Sequence, residues 1–416
     1  MKKNFLMMVA VCATIPAMAE FKAEFNTAEA TAINITEAGE YRVYNELFSQ
    51  TNVPVVVNAD IADTVFVTVE GANIVLAEDG SAMNIGANSV IVLNIKGINA
   101  FKGKNGCGIE AAGELIINAT VADTLDCKGS GRSAAIGTTK DTPAGGNITI
   151  NGGIIYAQSG SESAAIGASN AGRLGNITIN GGQIYATGGA YSSAIGAAYC
   201  SKGASVITIN GGMVEARAGE YSSNRSIGKG NKTHSGSVDI VVKGGSIIAK
   251  GNKGDMDGLL EGATNGTEPV MLLVLTVPEA SATLVTEGNI GDIKLGADYG
   301  IKDVYTDAEG KLYFYVPESA TYAEAVINGV KVKEEGSAPQ PQALVNAYGD
   351  KTNIEIFSTS NGIIINHTEN NPVSIMDLTG KTVIEGMVSD NQPIALPNGL
   401  YVIRVNNVGS FKYVVK

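Results

Sequence analysis

The stretch GNITINGGQIYATGGAYSSAIGA, residues 175–197, decides the fold, because close variants of it stand on both sides. An Asn-Gly-Gly or Lys-Gly-Gly triplet recurs at 151–153, 180–182, 210–212 and 243–245. A second phrase, AAIG, SAIG or RSIG, recurs at nearly the same spacing at 134–137, 164–167, 193–196 and 225–228. Weaker copies of Ile-Thr-Ile-Asn-Gly precede these at 67–71, 93–97 and 115–119. The chain therefore contains seven repeat units, centred near residues 67, 93, 115, 148, 177, 207 and 240.

The spacing of these units predicts the fold. Each has 22 to 33 residues, contains short runs that alternate apolar and polar residues, and lacks a helical pattern. Such a repeat predicts one coil of a β-solenoid, so we expect an all-β chain built on a right-handed parallel β-helix of about seven coils. Alternation turns isoleucines such as Ile177 inward. It turns three threonines outward: Thr149, Thr178 and Thr208.

The corner triplet has its own physical cause. Turning the chain at every coil needs positive φ, which Gly adopts freely and Asn tolerates. An Asn side chain stacked on another can also hydrogen-bond its neighbour one coil away. Both ends of the solenoid need covering, because an open strand edge would promote aggregation.

Composition limits the classes of function. The chain has 416 residues, 52 Gly, no Trp, two His and a net charge of -12. The length allows two or three domains, and the acidic balance argues against nucleic acid as a partner. Hydrophobic residues make up 44% and aromatic residues only 6%, which favours a core of small and β-branched side chains.

The N-terminus has the pattern of an export signal. Residues 1–19 combine Lys2 and Lys3, an apolar run from about Phe5 to Ile15, and Ala-Met-Ala at 17–19. This pattern predicts a secretory signal peptide removed after Ala19. The run is shorter than the ~20 residues that span a bilayer, and we expect no transmembrane segment in the mature chain. A lipoprotein acceptor at Cys12 is disfavoured because Val11 before it is too large.

Three cysteines remain after cleavage. They are Cys107, Cys127 and Cys200, and an odd number argues against a full disulfide framework, although a single bridge stays open. Repeat alignment places Cys127 in the inward column of Ala157 and Cys107 near Ala134. We therefore expect both to act as small buried hydrophobic residues.

The repeats resemble those of a known group. The series NITINGGIIYAQSGSESAAIGAS at 147–169 is similar to repeats of bacterial surface β-helix proteins of the carbohydrate-binding type, which are similar to pectate-lyase-type parallel β-helices. The resemblance covers about residues 60–255. It implies a parallel β-helix at the cell surface and a glycan as partner.

Domain boundaries follow from changes in pattern. We expect an N-terminal cap at 20–60, β-helix repeats at 61–262 and a small β-rich domain at 263–336. The stretch YGIKDVYTDAEGKLYFYVPE at 299–318 is similar to the β-rich segment that often follows such repeats. Prolines in SAPQPQA at 337–343 predict a linker.

The C-terminal residues 344–416 alternate like short strands with turns at 379–380 and 397–399, which predicts a compact β-sandwich. Three motifs resemble the type A C-terminal sorting domain of type IX secretion cargo, namely VSIMDLTGK at 373–381, NGLY at 398–401 and VVK at 414–416. The resemblance implies the type IX secretion machinery as a partner and delivery to the surface or medium of a Gram-negative bacterium. An ordinary C-terminal β-sandwich is the alternative.

Residues for catalysis are sparse. A Ca²⁺-dependent lyase needs clustered carboxylates beside a basic residue, but the outward columns offer only Glu215. Pectin-hydrolysing relatives need paired Asp, and this chain has no Asp-Asp pair. His234 stands in a polar Gly-rich loop, where we expect a solvated side chain. Asp255 and Asp257 are weak candidates for a Ca²⁺ site, with a plain turn favoured. We expect no catalytic residue and no firm cofactor.

Binding is better supported by the outward residues. Tyr156 and Tyr185 occupy the same outward position in successive coils, and we expect a flat wall bordered by Gln183, Thr149 and Thr178. Aromatic faces stack on pyranoses while hydroxyls and amides bind sugar hydroxyls. We expect Tyr191 and Tyr221 to form a second aromatic pair at a neighbouring edge. Simple cross-coil packing of the tyrosines is the alternative.

The sequence thus favours an exported, non-catalytic glycan-binding β-helix protein. With a net charge of -12, a neutral glycan fits at least as easily as an anionic one, which would be repelled unless Ca²⁺ bridged it. A structural or adhesin-like surface repeat protein that binds protein is the first alternative. A Ca²⁺-dependent polysaccharide lyase is the second.

Overall fold

The computed structural model describes residues 20–415 apart from 141, 144, 222–224, 230–233, 252–259, 261, 279–283, 291–292, 296–303, 318–324, 335–354, 360–361, 367–371, 378–380, 389–391, 398 and 406–408. The predicted signal peptide, the predicted linker and the weak Ca²⁺ candidates Asp255 and Asp257 lie outside the described residues.

The first 25 strands wind into a solenoid whose coils pass in turn through three parallel sheets. Numbered along the chain, the strands of sheet 1 are, in spatial order, β1 (Ala23–Asn26), β3 (Gly39–Tyr44), β6 (Val65–Glu70), β9 (Val90–Lys96), β12 (Glu114–Asn118), β15 (Ile148–Ile150), β18 (Ile177–Ile179), β21 (Ser205–Ile209) and β24 (Val238–Val242). At ~4.8 Å per coil, these nine strands span roughly 40 Å.

The other two sheets have eight strands each. Sheet 2 comprises β4 (Gln50–Thr51), β7 (Asn73–Val75), β10 (Ile98–Lys102), β13 (Thr124–Lys128), β16 (Ile154–Gln158), β19 (Gln183–Thr187), β22 (Met213–Arg217) and β25 (Ser246–Lys250). Sheet 3 comprises β2 (Ile33–Ile35), β5 (Val55–Val57), β8 (Met83–Ile85), β11 (Ile109–Ala111), β14 (Ile136–Gly137), β17 (Ile166–Gly167), β20 (Ile195–Gly196) and β23 (Ile227–Gly228).

The predicted parallel β-solenoid is confirmed. The seven units found in the sequence correspond to the coils that begin at β6, β9, β12, β15, β18, β21 and β24. The right-handed winding stays a prediction. Residues 20–60 require a correction, because β1 and β3 pair in parallel with each other and β3 pairs in parallel with β6. The segment predicted as a cap therefore does cover the first predicted coil, but it does so as additional coils of the same solenoid. Its residues alternate between inward and outward positions, but it lacks the Asn-Gly-Gly triplet at the corner.

Stacking of identical residues builds the core. Ile148 pairs with Ile177 and Ile177 with Ile207 in register across sheet 1, and all three are at most 2% exposed. Cys127 pairs with Ala157 in the inward column of sheet 2, as predicted. Cys107 and Cys127 are both buried free thiols. The core is therefore a continuous column of small and β-branched side chains.

An asparagine ladder fixes the corner between sheets 1 and 2. Asn210 Nδ2 donates to Asn180 Oδ1 at 2.7 Å, and Asn180 Nδ2 donates to Asn151 Oδ1 at 2.7 Å. The ladder continues through Asn118 to Asn94 at 2.7 and 3.1 Å. Each interior amide thus satisfies its neighbour one coil away, which confirms the role inferred for the corner asparagines.

A small antiparallel domain follows the solenoid. It contains β26 (Val270–Thr276), β27 (Leu284–Val285), β28 (Gly288–Ile290), β29 (Ile293–Leu295), β30 (Val304–Tyr305), β31 (Lys311–Pro317), β32 (Ala325–Ile327) and β33 (Val330–Glu334). Its own core includes Leu275, Leu312 and Ile327. Among its residues, Val270 and Tyr315 pack against the solenoid core, which also includes Leu260 and Ala263. The last coil is therefore covered, as the sequence predicts.

The C-terminal strands form two antiparallel sheets around one core. They are β34 (Glu355–Thr359), β35 (Gly362–Asn366), β36 (Val373–Asp377), β37 (Thr382–Gly386), β38 (Pro393–Ala395), β39 (Gly399–Val405) and β40 (Gly409–Val415). Ile363 from one sheet and Ile375 and Ile403 from the other share this core. A β-sandwich is therefore present, and its role in sorting stays a prediction.

Candidate ligand-binding surface

The outer face of sheet 2 carries the predicted tyrosine pair. Its middle column runs Asp126, Tyr156, Tyr185 and Glu215 across strands β13, β16, β19 and β22. Because parallel pairing keeps the register, these side chains stand one coil apart along the solenoid axis. The column therefore places two aromatic rings between two carboxylates.

The two rings overlap instead of lying side by side. Their centroids are 5.1 Å apart and their planes differ by 14°. Rings lying edge to edge in one plane could not approach so closely, so each ring covers one face of the other. The expected flat aromatic wall is thereby corrected to an offset stack. Tyr156 is 46% exposed, and its outer face lies toward Asp126, a shorter side chain.

Both phenols remain protonated at neutral pH. Burial, with a smaller effect from Asp126, raises the pKa of Tyr156. Burial, followed by the charges of Tyr156 and Glu215, raises the pKa of Tyr185 to about 12. The Tyr185 hydroxyl donates to Gln183 Oε1 at 3.1 Å. The pair therefore presents apolar rings with neutral hydroxyl groups.

Ion pairs neutralise the two carboxylates of the column. Lys102 Nζ lies 3.0 Å from Asp126 Oδ2, and Lys250 Nζ lies 2.5 Å from Glu215 Oε1. Between these pairs, strands β16 and β19 display only uncharged side chains, including Gln158 and Thr187. The tyrosines therefore occupy an uncharged interval of the sheet.

The small domain covers one end of this face. Met213 and Ile248 on sheet 2 form a buried cluster with Tyr313 of β31. The Tyr313 amide donates to Ser246 Oγ at 3.1 Å. Leu272, Val274 and Tyr305 pack against the same cluster. Tyr185 consequently lies beside the covered end, while Tyr156 lies one coil farther from it.

The threonines predicted to border the tyrosines lie on a different face. Thr149, Thr178 and Thr208 are in register on sheet 1, where they are half-buried. The asparagine corner separates them from sheet 2. Alternation correctly turns them outward, but the bend of the chain removes them from the tyrosine surface. Of the predicted neighbours, only Gln183 shares the face of Tyr185.

A second aromatic cluster lies in the loops on either side of sheet 3, with Tyr191 and Tyr221 between sheets 2 and 3 and Tyr199 between sheets 3 and 1. Tyr191 stacks on Tyr221 with centroids 4.9 Å apart, as predicted for this pair. Tyr199, which the sequence interpretation missed, lies 5.5 Å from Tyr191 at a tilt of 52°. The repeat alignment could have found Tyr199, because it stands four residues after Ile195, at the position that Asn170 occupies in the preceding coil. A hydrogen bond to Glu220 raises the pKa of Tyr221.

His234 is buried, so the expected solvated side chain is wrong. It is 3% exposed, and its Nδ1 lies 2.8 Å from the Oγ of Ser201 in the preceding coil. Burial, with a smaller effect from Lys229, lowers its pKa. Stacking of loop on loop between sheets 3 and 1 encloses the ring, which local polarity in the sequence did not reveal.

Other reactive groups are few in the described part of the chain. Burial, followed by the charge of Glu110, raises the pKa of the Cys107 thiol, and burial also raises that of Cys127. Within the described residues, no group of three or more His, Cys, Asp or Glu side chains could hold a metal ion. The same residues contain no helix with the length and apolar character needed to cross a membrane.

Comparison with known proteins identifies the repeats. A family model described as a beta helix repeat matches residues 148–170, 177–199 and 207–226. Each matched segment begins on sheet 1 and passes through sheet 2; the first two also include their strand of sheet 3, and the third ends just before it. These three coils are therefore similar to that repeat family. No curated protein and no solved structure matches the chain.

Proposed function

We propose that this chain is an exported, non-catalytic β-helix protein that binds a glycan on the outer face of sheet 2. The observation that carries the proposal is the 46% exposure of Tyr156, which ends the aromatic stack next to the shorter side chain of Asp126. The C-terminal sandwich would deliver the protein to the cell surface or the medium through type IX secretion, consistent with its sorting-domain motifs.

The groups around Tyr156 suit a sugar. An aromatic face packs against the apolar face of a pyranose, while nearby amides and hydroxyls exchange hydrogen bonds with its hydroxyl groups. Gln158 and Thr187 are exposed on the same face, next to the tyrosine column. The backbone of sheet 2 holds these groups on a rigid support, which limits the entropy lost on binding.

We assign no reaction to this face because its carboxylates are already engaged. Asp126 and Glu215 each form an ion pair with a lysine, so neither stands as a free acid or base beside the tyrosines. A lyase would instead need carboxylates free to bind Ca²⁺. Sustained release of unsaturated products from pectate by the mature protein would contradict this assignment.

Substitution of Tyr156 tests the proposal. Tyr156→Ala removes the free ring face and should weaken binding to the recognised glycan by about tenfold or more, equivalent to about 1.4 kcal/mol. Tyr156→Phe keeps the ring and should retain most of the affinity. Binding is measured first on a glycan array and then by calorimetry with the glycan that gives the signal.

Phe66→Ala supplies a matched control, because Phe66 is 40% exposed on sheet 1, away from the tyrosines. It should leave affinity unchanged. Equal binding by wild type and Tyr156→Ala would remove sheet 2 as the glycan surface.

A protein-binding surface function is the second candidate. Leu47 is 87% exposed and Ile98 is 60% exposed in the first coils, and exposed apolar groups of this kind favour protein contacts. Binding of a purified host surface protein that survives Tyr156→Ala but is lost in Leu47→Ser with Ile98→Ser would favour this candidate.

A further inference from the structure

We propose that the glycan bound on sheet 2 is anionic, carrying carboxylate or sulfate groups. This inference rests on the proposed function and adds the chemical class of the ligand. Its basis is the uneven distribution of charge among the faces of the solenoid, which the net charge of the whole chain conceals.

Sheet 2 is positively charged within an acidic protein. Its strands contain four cations and two carboxylates, a net charge of +2, whereas the strands of sheet 1 contain two cations and five carboxylates, a net charge of -3. The chain as a whole has a net charge of -12. At physiological salt the screening length is about 8 Å, so charges on the same face act on a bound ligand more strongly than remote ones.

All four cations of sheet 2 fall in one column. They occupy the last outward position of their strands, in the register Lys102, Lys128, Gln158, Thr187, Arg217 and Lys250. This cation column runs beside the tyrosine column, two residues farther along each strand. A ligand on Tyr156 is therefore within reach of it.

Two of these cations are engaged and two are free to bind. Lys102 and Lys250 form the ion pairs with Asp126 and Glu215. Lys128 and Arg217 are exposed, and neither forms an ion pair with any residue that the structure describes. Three coil spacings separate them, about 14 Å along the axis. They therefore stand on either side of the uncharged interval that holds the tyrosines.

This arrangement fits a charged sugar chain along the solenoid axis. A pyranose on the free face of Tyr156 stands over strand β13, which also carries Lys128. Asp126 does not repel an acidic sugar there, because Lys102 neutralises it. Gln158 and Thr187 bind hydroxyl groups in the interval, and Arg217 meets the next anionic group beyond Tyr185. A neutral chain would leave both free cations without partners.

The test compares matched ligands on the full mature chain. The probes are oligogalacturonate and its carboxyl-reduced counterpart, and a sulfated galactan oligosaccharide and its desulfated form, all in EDTA so that Ca²⁺ bridging is absent. We expect one anionic member to bind at least about tenfold more tightly than its neutral form, with affinity falling as NaCl rises. The pair that responds identifies carboxylate or sulfate as the recognised group.

Charge-removing variants locate the contact. Lys128→Gln with Arg217→Gln should reduce affinity for the anionic probe about tenfold and leave the neutral probe unchanged. Lys202→Gln with Arg173→Gln is the matched control, because it removes one Lys and one Arg exposed in loops outside sheet 2. The control pair should bind like the wild type.

Failure of this inference differs from failure of the proposed function. One outcome overturns only the anionic assignment. In it, neutral and anionic probes bind equally, binding of both depends on Tyr156, and neither responds to the Lys128 and Arg217 variants. Glycan binding on sheet 2 then stands. If no probe and no arrayed glycan binds, both proposals fall together. If the Lys202 and Arg173 control weakens binding as much as the sheet 2 variants, the placement on sheet 2 is overturned.

Discussion

At the scale of single residues, the same repeat position changes its role with its neighbours. Tyr185 is half-buried between Tyr156 and Glu215, whereas Tyr156 has the shorter Asp126 on its other side and is 46% exposed. The sequence shows two equivalent tyrosines, but the position at the end of the aromatic stack makes Tyr156 the more exposed of the two. His234 differs from expectation for a similar reason, since it contacts Ser201 of the preceding coil and is 3% exposed.

His234 should make the stability of the solenoid depend on pH. Burial lowers its pKa in the folded chain below the ordinary value of 6.5, so the unfolded chain takes up the proton more readily. The stabilising contribution is therefore present above pH 6.5 and is lost as pH falls below it. We expect the free energy of unfolding, measured by urea denaturation, to decrease between pH 7.5 and pH 5.5 for this reason.

Two variants isolate the effect of His234. His234→Gln should flatten this part of the pH dependence, whatever its effect on absolute stability. His367→Gln removes the other histidine of the chain and is the matched control, so a slope that flattens only in His234→Gln assigns the effect to His234. An unaltered slope in His234→Gln would show that other groups cause the dependence.

At the scale of elements, the shortest strands place the strictest limits on which residue types can occupy them. Several strands of sheet 3 contain only an Ile and a Gly. At these glycines the backbones of successive coils approach each other closely. Gly167 has φ of +131°, and a Cβ on it would stand 2.3 Å from the carbonyl oxygen of Gly196. The Ile-Gly phrase therefore repeats because both conformation and space exclude a side chain.

Comparison of two glycines tests this explanation. Gly97 also has positive φ, at +65°, but no atom lies within 4 Å of the point that a Cβ would occupy there. Gly97→Ala should cost only the conformational strain, about 1 kcal/mol. Gly167→Ala adds a backbone clash and should cost more than about 3 kcal/mol. Equal losses in thermal or urea denaturation would show that close approach at sheet 3 is unimportant.

At the scale of the whole molecule, the solenoid is a stack in which each coil contacts its neighbours, so damage should remain local. The small domain stabilises one end through Tyr313, which packs on Met213 and Ile248. It also limits sheet 2, because the side chains that it covers there, Met213 and Ile248, cannot contact a ligand. The described surface thus leaves Tyr156 accessible on the side away from that domain.

Removal of the Tyr313 ring should loosen the adjoining coils selectively. In Tyr313→Ala we expect hydrogen exchange of amides in β22 and β25 to accelerate at least roughly tenfold, while β6 and β9 keep their protection. Tyr313→Phe retains the ring that packs on Met213 and Ile248 and loses the hydroxyl contact with Asp307, which measures 2.8 Å, so it should resemble the wild type in this exchange pattern. Uniform acceleration along the solenoid would contradict local coupling.

The repeat pattern alone determined most of the solenoid. Because one repeat is one coil, equivalent residues must stack, and this places Ile177 on Ile148, Asn180 on Asn151, and Cys127 in the alanine column. The same logic places Tyr156 next to Tyr185. It failed to identify residues 20–60 as coils because they lack the corner triplet, although they keep the alternation.

Only the tertiary structure decided which groups share a surface. Alternation distinguishes inside from outside but does not say on which side of a corner a residue lies, so Thr178 falls on sheet 1 and Tyr185 on sheet 2. Ring overlap, the burial of His234 and the covering of Met213 by Tyr313 arise from contacts between neighbouring coils or distant segments. Such contacts depend on side-chain packing in three dimensions, which no periodic pattern specifies.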